Sequence, residues 1–243
     1  MSVAVINIKT IPDIEGGRKL YELHDLSDKE VANVMFYKRR QETENSEFLR
    51  LHLHRICSIS ITVRDDSDFS VISLGDESSN EAVLIQALYD AIDHYRATLL
   101  AWNGSNFELP VLHYRSLVHG LTAPAYWSED DEAISPDLKD MLAGFSPDAD
   151  VPLGEFASLL GFPGDMLMSA DKVWDTYRHA GIQNVRNACD SEALNTYLVY
   201  LRFQLFLGQI NQQEYDTECQ LVRSSLEQTQ STQAIKFLSA WSV

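Results

Sequence analysis

The chain has 243 residues, of which 45% are hydrophobic and 23% are charged, so it has enough apolar material for a sizeable core and is not disordered by composition. Its formal net charge of −17 argues against broad, tight binding to nucleic acid, because attraction to phosphates comes from clustered Lys and Arg side chains. Contact with nucleic acid through metal ions or a local basic strip stays open.

The N-terminal part of the chain predicts three strands and one helix. β-Branched residues run almost without interruption from Val3 to Ile8, which is typical of a strand that is buried on both faces and central in a sheet. Residues 28–42 have the apolar spacing of a helix. Apolar residues alternate with Ser and Thr from Ile56 to Val63, and a second strand pattern from Phe69 to Leu74 follows an acidic turn, so these segments predict an antiparallel hairpin.

The rest of the chain predicts one more strand among helices. Asn80 can cap a helix that ends near Arg96, Thr98 to Trp102 is typical of a short buried strand, and a further helix runs from about Leu109 to Gly120. After a loop over 121–136, the expected helices cover residues 138–143, 153–160, 170–179, 184–207 and a last segment from Asn211. This order predicts an α/β fold: one domain over residues 1–243, with a mixed sheet flanked by helices and with C-terminal helices over 184–228.

Cysteine usage and hydropathy indicate the compartment. Cys57, Cys189 and Cys219 are odd in number and widely spaced, so they predict neither a disulfide framework nor a zinc site, and they favour a reducing compartment. The apolar run at the N-terminus is too short for a signal peptide, and no stretch approaches the roughly 20 apolar residues of a membrane span. We therefore expect a cytoplasmic protein without membrane contact.

Four stretches of the chain match, in order, the motifs of one family. They are Val5-Ile6-Asn7-Ile8-Lys9-Thr10-Ile11-Pro12-Asp13, Leu51-His52-Leu53-His54-Arg55-Ile56, Trp102-Asn103-Gly104-Ser105-Asn106-Phe107-Glu108-Leu109-Pro110-Val111-Leu112, and a C-terminal run that includes Leu159-Leu160-Gly161-Phe162-Pro163-Gly164, Lys172-Val173-Trp174 and Cys189-Asp190-Ser191-Glu192-Ala193-Leu194. On these motifs the chain resembles the predicted 3′–5′ exonuclease family related to the proofreading domain of family B DNA polymerases, within the RNase H-like DEDD superfamily. The resemblance implies an RNase H-like, DnaQ-like fold.

The resemblance also implies a reaction. Hydrolysis of a phosphodiester by such enzymes uses two divalent cations held by carboxylates, the ligands that Mg²⁺ prefers. The family pattern takes an Asp and a Glu from an Asp-x-Glu at the end of the first strand, where side chains at i and i+2 share a face. A third carboxylate follows the Asn-Gly turn, a fourth lies on a C-terminal helix, and in one subclass a Tyr one turn before it orients the attacking water.

This chain departs from the family pattern at each of those positions. Asn7 and Lys9 replace the Asp and Glu of the strand, Glu108 and Glu192 replace the two later Asp residues, and Ala188 stands where the Tyr is expected. The formal charge of the four ligand positions falls from about −4 to about −1, which is too little to hold two dications. The longer glutamates also displace their charge beyond the roughly 0.5 Å tolerance of a catalytic arrangement.

Lys9 suggests how the fold can persist without metal ions. A buried ammonium needs a counter-charge, so we expect Lys9 to act as a built-in cation that pairs with Glu108 or Glu192. The alternative is that Lys9 points into solvent at the end of its strand.

Further residues are candidates for the same site. Asp137 is either a residual site carboxylate, and then a metal ligand with Glu108 and Glu192 if any metal binds, or the N-cap of the following helix. Asn103 and Phe107 at the Asn-Gly turn are expected to contact substrate, since an aromatic ring can stack on a terminal base. For Phe107, packing in the core is the alternative. Asp190 lies about 160° around the helix from Glu192, so it is a poor substitute ligand.

Two other motifs have ordinary structural explanations. His52 and His54 share a face and could ligate zinc, but no second ligand pair is recognisable, so packing in the core or at its rim is favoured. Lys38-Arg39-Arg40 is a compact basic cluster beside several Glu residues, which favours a solvated helix face over a nucleic-acid contact.

The sequence therefore predicts an exonuclease-like protein whose active site has degenerated. We expect a binding or scaffolding module that needs no cofactor, with a protein partner favoured by the acidic surface and only weak contact with single-stranded nucleic acid. The alternative is an active 3′–5′ exonuclease on single-stranded DNA or RNA that uses Mg²⁺ or Mn²⁺ with a non-standard carboxylate set.

Overall fold

A computed structural model describes residues 3–65, 68–122 and 137–242 of the chain. Four strands in these ranges form one mixed sheet in the order β3-β2-β1-β4: β1 (Val3–Pro12), β2 (His54–Asp65), β3 (Asp68–Ser73) and β4 (Thr98–Leu100). β1 pairs antiparallel with β2 and parallel with β4, and β2 and β3 form the expected antiparallel hairpin. The predictions of a mixed α/β fold and of a central first strand are confirmed.

β1 is longer than the apolar run that predicts it. Its register with β2 shifts between Lys9 and Thr10, which face Ser58 and Ile56, so Cys57 is the extra residue of a β-bulge. The strand then continues to Pro12, because residues beyond the bulge still pair with β2. Bulges re-aim side chains near functional sites, and this one follows directly after Lys9.

Helices cover both faces of the sheet. Those in the described ranges are α1 (Ile14–Tyr21), α2 (Asp28–Thr43), α3 (Glu81–Tyr95), α4 (Glu108–His119), α5 (Leu138–Leu142), α6 (Leu153–Leu159), α7 (Ala170–His179), α8 (Ile182–Phe206), α9 (Gln212–Thr229) and α10 (Thr232–Ala240). α3 and α4 pack on one face, while α8 and α9 pack on the other. Ser58, Ser60 and Thr62 of β2 are buried on the α8 side. None of the described helices combines the length and apolarity needed to cross a bilayer.

Two helices were not predicted. The first is α1, which contains Gly16-Gly17 and is capped by Asp13, whose side chain accepts a hydrogen bond from the Gly16 amide. A Cβ on Gly17 would overlap the Met35 side chain, so this glycine permits close packing of α1 on α2. α10 extends the C-terminal helical region past residue 228 and is capped by Ser231. Apart from its first two residues, the loop expected over 121–136 lies outside the described residues.

Candidate functional site

The motif residues meet in one cleft at the C-terminal half of β1. Its volume is about 1450 Å³, and its lining includes Asn7 and Lys9 from β1, Glu108 from the first turn of α4, and Glu192 from the middle of α8. All four are therefore brought together, although they are far apart in the sequence. Ala188, one helical turn before Glu192, is buried and does not line the cleft.

Lys9 forms a buried ion pair with Glu192. Its Nζ contacts Oε1 of Glu192 and donates a hydrogen bond to the carbonyl oxygen of Met168 at 3.0 Å. The Lys9 side chain is 7% exposed and that of Glu192 is 15% exposed, so the alternative in which Lys9 points into solvent is wrong. Of the two carboxylates expected as partners, Glu192 makes the contact.

Asn7 is held by a thiol. Its side-chain oxygen accepts a hydrogen bond from the Cys189 Sγ at 3.3 Å, and its backbone oxygen lies at the same distance from that sulfur. Burial raises the pKa of Cys189 to about 12, so the thiol stays protonated and remains a donor. The neutral amide of Asn7 is thus matched to a neutral neighbour at a position where the family pattern has a carboxylate.

Glu108 has a buried carboxyl group without a full set of partners. The residue is 3% exposed, and Oε2 has no hydrogen-bond partner among the described residues. Burial raises the pKa of Glu108 to about 8, and the nearby carboxylates of Glu192 and Asp137 push it in the same direction. Its own backbone amide and the Lys9 ammonium oppose this rise without cancelling it. Glu108 is therefore mostly protonated at neutral pH.

Asp137 lies beside the turn that precedes α4. Its Oδ1 and Oδ2 accept hydrogen bonds from the Ser105 amide at 2.8 and 3.0 Å. Asp137 occupies the N-cap position of α5, as one of the two interpretations predicted, and its carbonyl oxygen accepts a hydrogen bond from the Met141 amide at 3.0 Å. Its side chain, however, makes no capping hydrogen bond to α5. Burial raises the pKa of Asp137, although the Ser105 amide opposes this. A Cβ on Gly104 would crowd Oδ1, which explains why the turn carries glycine there.

Asp190 faces away from the cleft, as expected from its position on α8. Its Oδ1 accepts hydrogen bonds from the hydroxyl groups of Ser60 and Ser73 on β2 and β3. Burial raises the pKa of Asp190, and the two hydroxyl groups lower it. Asp190 therefore cannot replace a missing ligand at Glu192.

The two expected substrate contacts are placed differently. Phe107 lines the cleft and forms an aromatic wall with Phe48 and His54, with ring centroids 5.8 and 5.5 Å from its own. Asn103 does not line the cleft; its carbonyl oxygen accepts hydrogen bonds from the Asn106 and Phe107 amides and holds the turn together.

The His-x-His pair consists of two packed side chains. His54 is held by Thr10 Oγ1 and the Leu49 carbonyl oxygen, and burial lowers its pKa to about 4, so the ring is neutral. The His52 ring packs edge-on against Tyr114. Within the described ranges, no three His, Cys, Asp or Glu side chains are grouped so that they could hold a metal ion.

The basic cluster on α2 is engaged locally. Arg39 pairs with Glu42, Arg40 pairs with Glu47, and Lys38 lies over the ring of Tyr21. These contacts agree with the solvated helix face that was favoured.

The donor set does not fit two divalent cations. Asn7 contributes a neutral amide that is already hydrogen-bonded, Glu192 is bound to the Lys9 ammonium, and Glu108 is left as a single buried carboxyl group. Metal ions of this type need several ionised oxygen ligands.

Three features of the site were missed at the sequence level. The Met168 carbonyl oxygen and the Cys189 thiol carry no sequence signal of their own, because their roles depend on how α7 and α8 pack on β1. The third feature, Phe48, could have been noticed in the sequence, because it is an aromatic residue in an irregular segment close to the second family motif.

Comparisons with known proteins identify the family and the fold. Residues 46–241 match the model of a family described as predicted 3′–5′ exonucleases related to the exonuclease domain of PolB. Among solved structures, the family B DNA polymerase of the hyperthermophilic archaeon Pyrobaculum calidifontis aligns with a TM-score of 0.54 and 13% identity, over 85% of this chain and 24% of the polymerase. No curated protein matches the chain. The matched range spans most of the chain and includes Glu108 and Glu192, and the chain therefore belongs to the predicted 3′–5′ exonuclease family related to the exonuclease domain of family B DNA polymerases.

Proposed function

We propose that this chain is a catalytically degenerate member of its family and acts as a binding or scaffolding module for a protein partner. The observation that carries the proposal is the buried contact of the Lys9 ammonium with Glu192 and with the Met168 carbonyl oxygen. This contact puts a fixed positive charge on a carboxylate that the family pattern uses for metal binding.

Electrostatics make this fixed charge costly for a metal. A dication about 4 Å from an ammonium is repelled by about 8 kcal/mol at an effective dielectric constant of about 20. Several ionised oxygens would have to offset that repulsion, and the cleft supplies few of them. The absence of a Tyr at Ala188 also removes the hydroxyl group that one subclass uses to orient water.

The surface charge favours a protein over a nucleic acid as partner. A net charge of −17 repels polyanions at long range, and the basic cluster on α2 is engaged by neighbouring carboxylates and an aromatic ring. Three free cysteines are compatible with a reducing compartment, and we place the protein in the cytoplasm on that basis.

A metal-titrated nuclease assay tests the proposal. End-labelled single-stranded DNA and RNA are incubated with the protein and Mg²⁺ or Mn²⁺, and we expect no release of mononucleotides. The matched variant combines Asn7→Asp, Lys9→Glu, Glu108→Asp, Ala188→Tyr and Glu192→Asp, and we expect it to gain metal-dependent release. Circular dichroism checks that this variant is folded.

One outcome would overturn the proposal in favour of an active exonuclease. It is metal-dependent release by the unaltered chain that disappears in Glu192→Ala. A second readout does not depend on activity: Mn²⁺ should leave the melting temperature of the unaltered chain unchanged and should raise that of the five-fold variant, since ligands that bind the folded state stabilise it.

A further inference from the structure

The rim of the cleft is rich in exposed carboxylates. Five exposed acidic side chains line it against two exposed basic ones, Lys29 and Arg178; the acidic residues are Glu47, Glu155, Asp165, Asp171 and Asp175. Glu47 pairs with Arg40, whereas the other four have no ion-pair partner in the described part of the chain. The rim therefore has a surplus of negative charge that a positively charged ligand would offset.

The floor of the cleft contains a buried oxygen without a hydrogen-bond partner, which also favours a positively charged ligand. Glu108 lines the cleft and is only 3% exposed, and its Oε2 has no hydrogen-bond partner among the described residues. A buried oxygen without a donor destabilises the protein, so a ligand group that donates to it removes that cost. The Lys9 ammonium donates to Glu192 and to the Met168 carbonyl oxygen, and it makes no hydrogen bond to this oxygen.

The aromatic wall suits a cationic group as well. The rings of Phe48 and Phe107 lie beside the neutral ring of His54, with centroids of Phe48 and His54 4.8 Å apart. Aromatic faces attract ammonium and guanidinium groups within about 6 Å of the ring centroid. At about 1450 Å³, the cleft also exceeds the roughly 300–1,000 Å³ typical of small-molecule sites and has room for an extended peptide.

From these three observations we infer that the cleft binds a basic peptide segment of the partner protein, with a Lys or Arg side chain donating to Oε2 of Glu108. This inference rests on the proposed function, since it requires that the cleft holds no metal ions. The rim carboxylates would steer the segment and contribute little affinity each. The contact at Glu108 would be desolvated, would draw that carboxyl group into its ionised form because a nearby cation favours the charged state, and would carry most of the specificity.

Fluorescence anisotropy with a defined probe tests the inference. The probe is a labelled Gly-Ser-Arg-Gly-Arg-Ser-Gly peptide, and its control is the same peptide with citrulline, which is nearly isosteric and uncharged, in place of arginine. Titrations contain EDTA, so that they report on the cleft whatever the outcome of the nuclease assay. We expect the arginine peptide to bind and the citrulline peptide to bind at least about tenfold more weakly.

Variants of the protein locate the binding site. Glu108→Gln should weaken binding of the arginine peptide by about tenfold or more, and Asp171→Asn combined with Asp175→Asn should weaken it by about threefold. Glu227→Gln, which makes the same change of charge at an exposed position on α9 outside the cleft, should leave the affinity unchanged. The double variant at the rim changes only exposed side chains, so it stays informative if Glu108→Gln proves unstable.

Three results would overturn the inference. They are equal binding of the arginine and citrulline peptides, equal weakening by Glu227→Gln and by the cleft variants, and displacement of the peptide by a single-stranded oligonucleotide at lower concentration than by unlabelled peptide. None of them affects the proposed loss of nuclease activity, which is judged by release of mononucleotides alone.

Discussion

Two clusters of buried carboxylates near the C-terminal half of β1 differ in how fully those carboxylates are hydrogen-bonded. The Arg115 cluster consists of Arg115, Glu81 and Asp13, and the Lys9 cluster consists of Lys9, Glu192 and Glu108. In the Arg115 cluster, the guanidinium donates to both oxygens of Glu81 at 2.9 and 2.6 Å and to Asp13 at 2.6 Å. Glu81 also accepts from the Ile56 amide at 2.6 Å and contacts His119 at 2.7 Å. In the Lys9 cluster, the ammonium binds Glu192 and donates to a carbonyl oxygen, and one oxygen of Glu108 has no hydrogen-bond partner among the described residues.

This difference distinguishes a network that stabilises the fold from a site that can bind a ligand. The Arg115 cluster ties together the cap of α1, the start of β2, the first turn of α3 and the C-terminal half of α4, so its carboxylates are satisfied by the chain itself. Buried polar groups in folded proteins are almost always hydrogen-bonded, and the exceptions often mark functional positions. An orphan oxygen in the Lys9 cluster, next to a cleft, is such an exception.

The largest expected effect comes from breaking the satisfied network. Arg115→Met leaves Glu81 and Asp13 buried without their cation, and removing one partner of a buried ion pair costs about 3–5 kcal/mol. We expect a loss of that size in the free energy of unfolding, measured by urea denaturation followed by circular dichroism.

The conservative change at the same position provides the control. Arg115→Lys keeps the charge but cannot donate to Glu81 and Asp13 together, so its loss should be intermediate. A loss of less than about 1 kcal/mol for Arg115→Met would show that the cluster does not stabilise the fold as described.

The two clusters also differ in what the sequence alone reveals. The β-branched run of β1 placed Asn7 on a central strand, the resemblance to the exonuclease family singled out Lys9 just beyond that run, and burial at that position required a counter-charge for Lys9. The choice of Glu192 over Glu108 was not predictable, because it depends on the position of α8 relative to β1. The family motifs thus identified the site residues, and neither those motifs nor the local patterns identified their pairing.

The structural roles that the sequence did not reveal have a common physical cause. Gly17 lies in the unpredicted helix α1 and permits close packing on Met35, and Asp137 occupies the N-cap position of α5 while its side chain binds the amide of Ser105. Arg115 follows Val111 and Leu112 on the buried face of α4, so a need for buried carboxylates was detectable, but its partners lie 34 and 102 residues away. Long-range packing decided each of these cases.

A smaller loss of stability is expected from breaking the ion pair of the Lys9 cluster. Lys9→Met leaves Glu192 without its cation, but that side chain is 15% exposed and can gain water, so we expect a loss of about 2 kcal/mol rather than more. The double variant Lys9→Met with Glu192→Leu should recover most of this loss, because apolar replacements of both partners are often neutral. Urea denaturation of the two single variants and the double variant measures the coupling. Additive losses would show that Lys9 and Glu192 stabilise the fold independently and would contradict the ion pair.

The smallest effect has the opposite sign and compares two buried glutamates directly. Glu81→Gln removes a charge that Arg115 requires and should destabilise the protein, whereas Glu108→Gln removes a carboxyl group that lacks a partner and should stabilise it by about 1 kcal/mol near neutral pH. The pKa of Glu108 is raised from 4.5 to about 8 by burial, so folding keeps a proton that the unfolded chain releases. Wild-type stability contributed by this group is therefore complete below about pH 4.5 and is lost as the pH rises toward about 8. Since glutamine does not titrate, the advantage of Glu108→Gln should grow across that range and should be small at about pH 5. Urea denaturation of both variants at about pH 5 and about pH 8 measures the difference, and a loss of stability in Glu108→Gln at the higher pH would show that Glu108 is satisfied by the chain in the same way as Glu81.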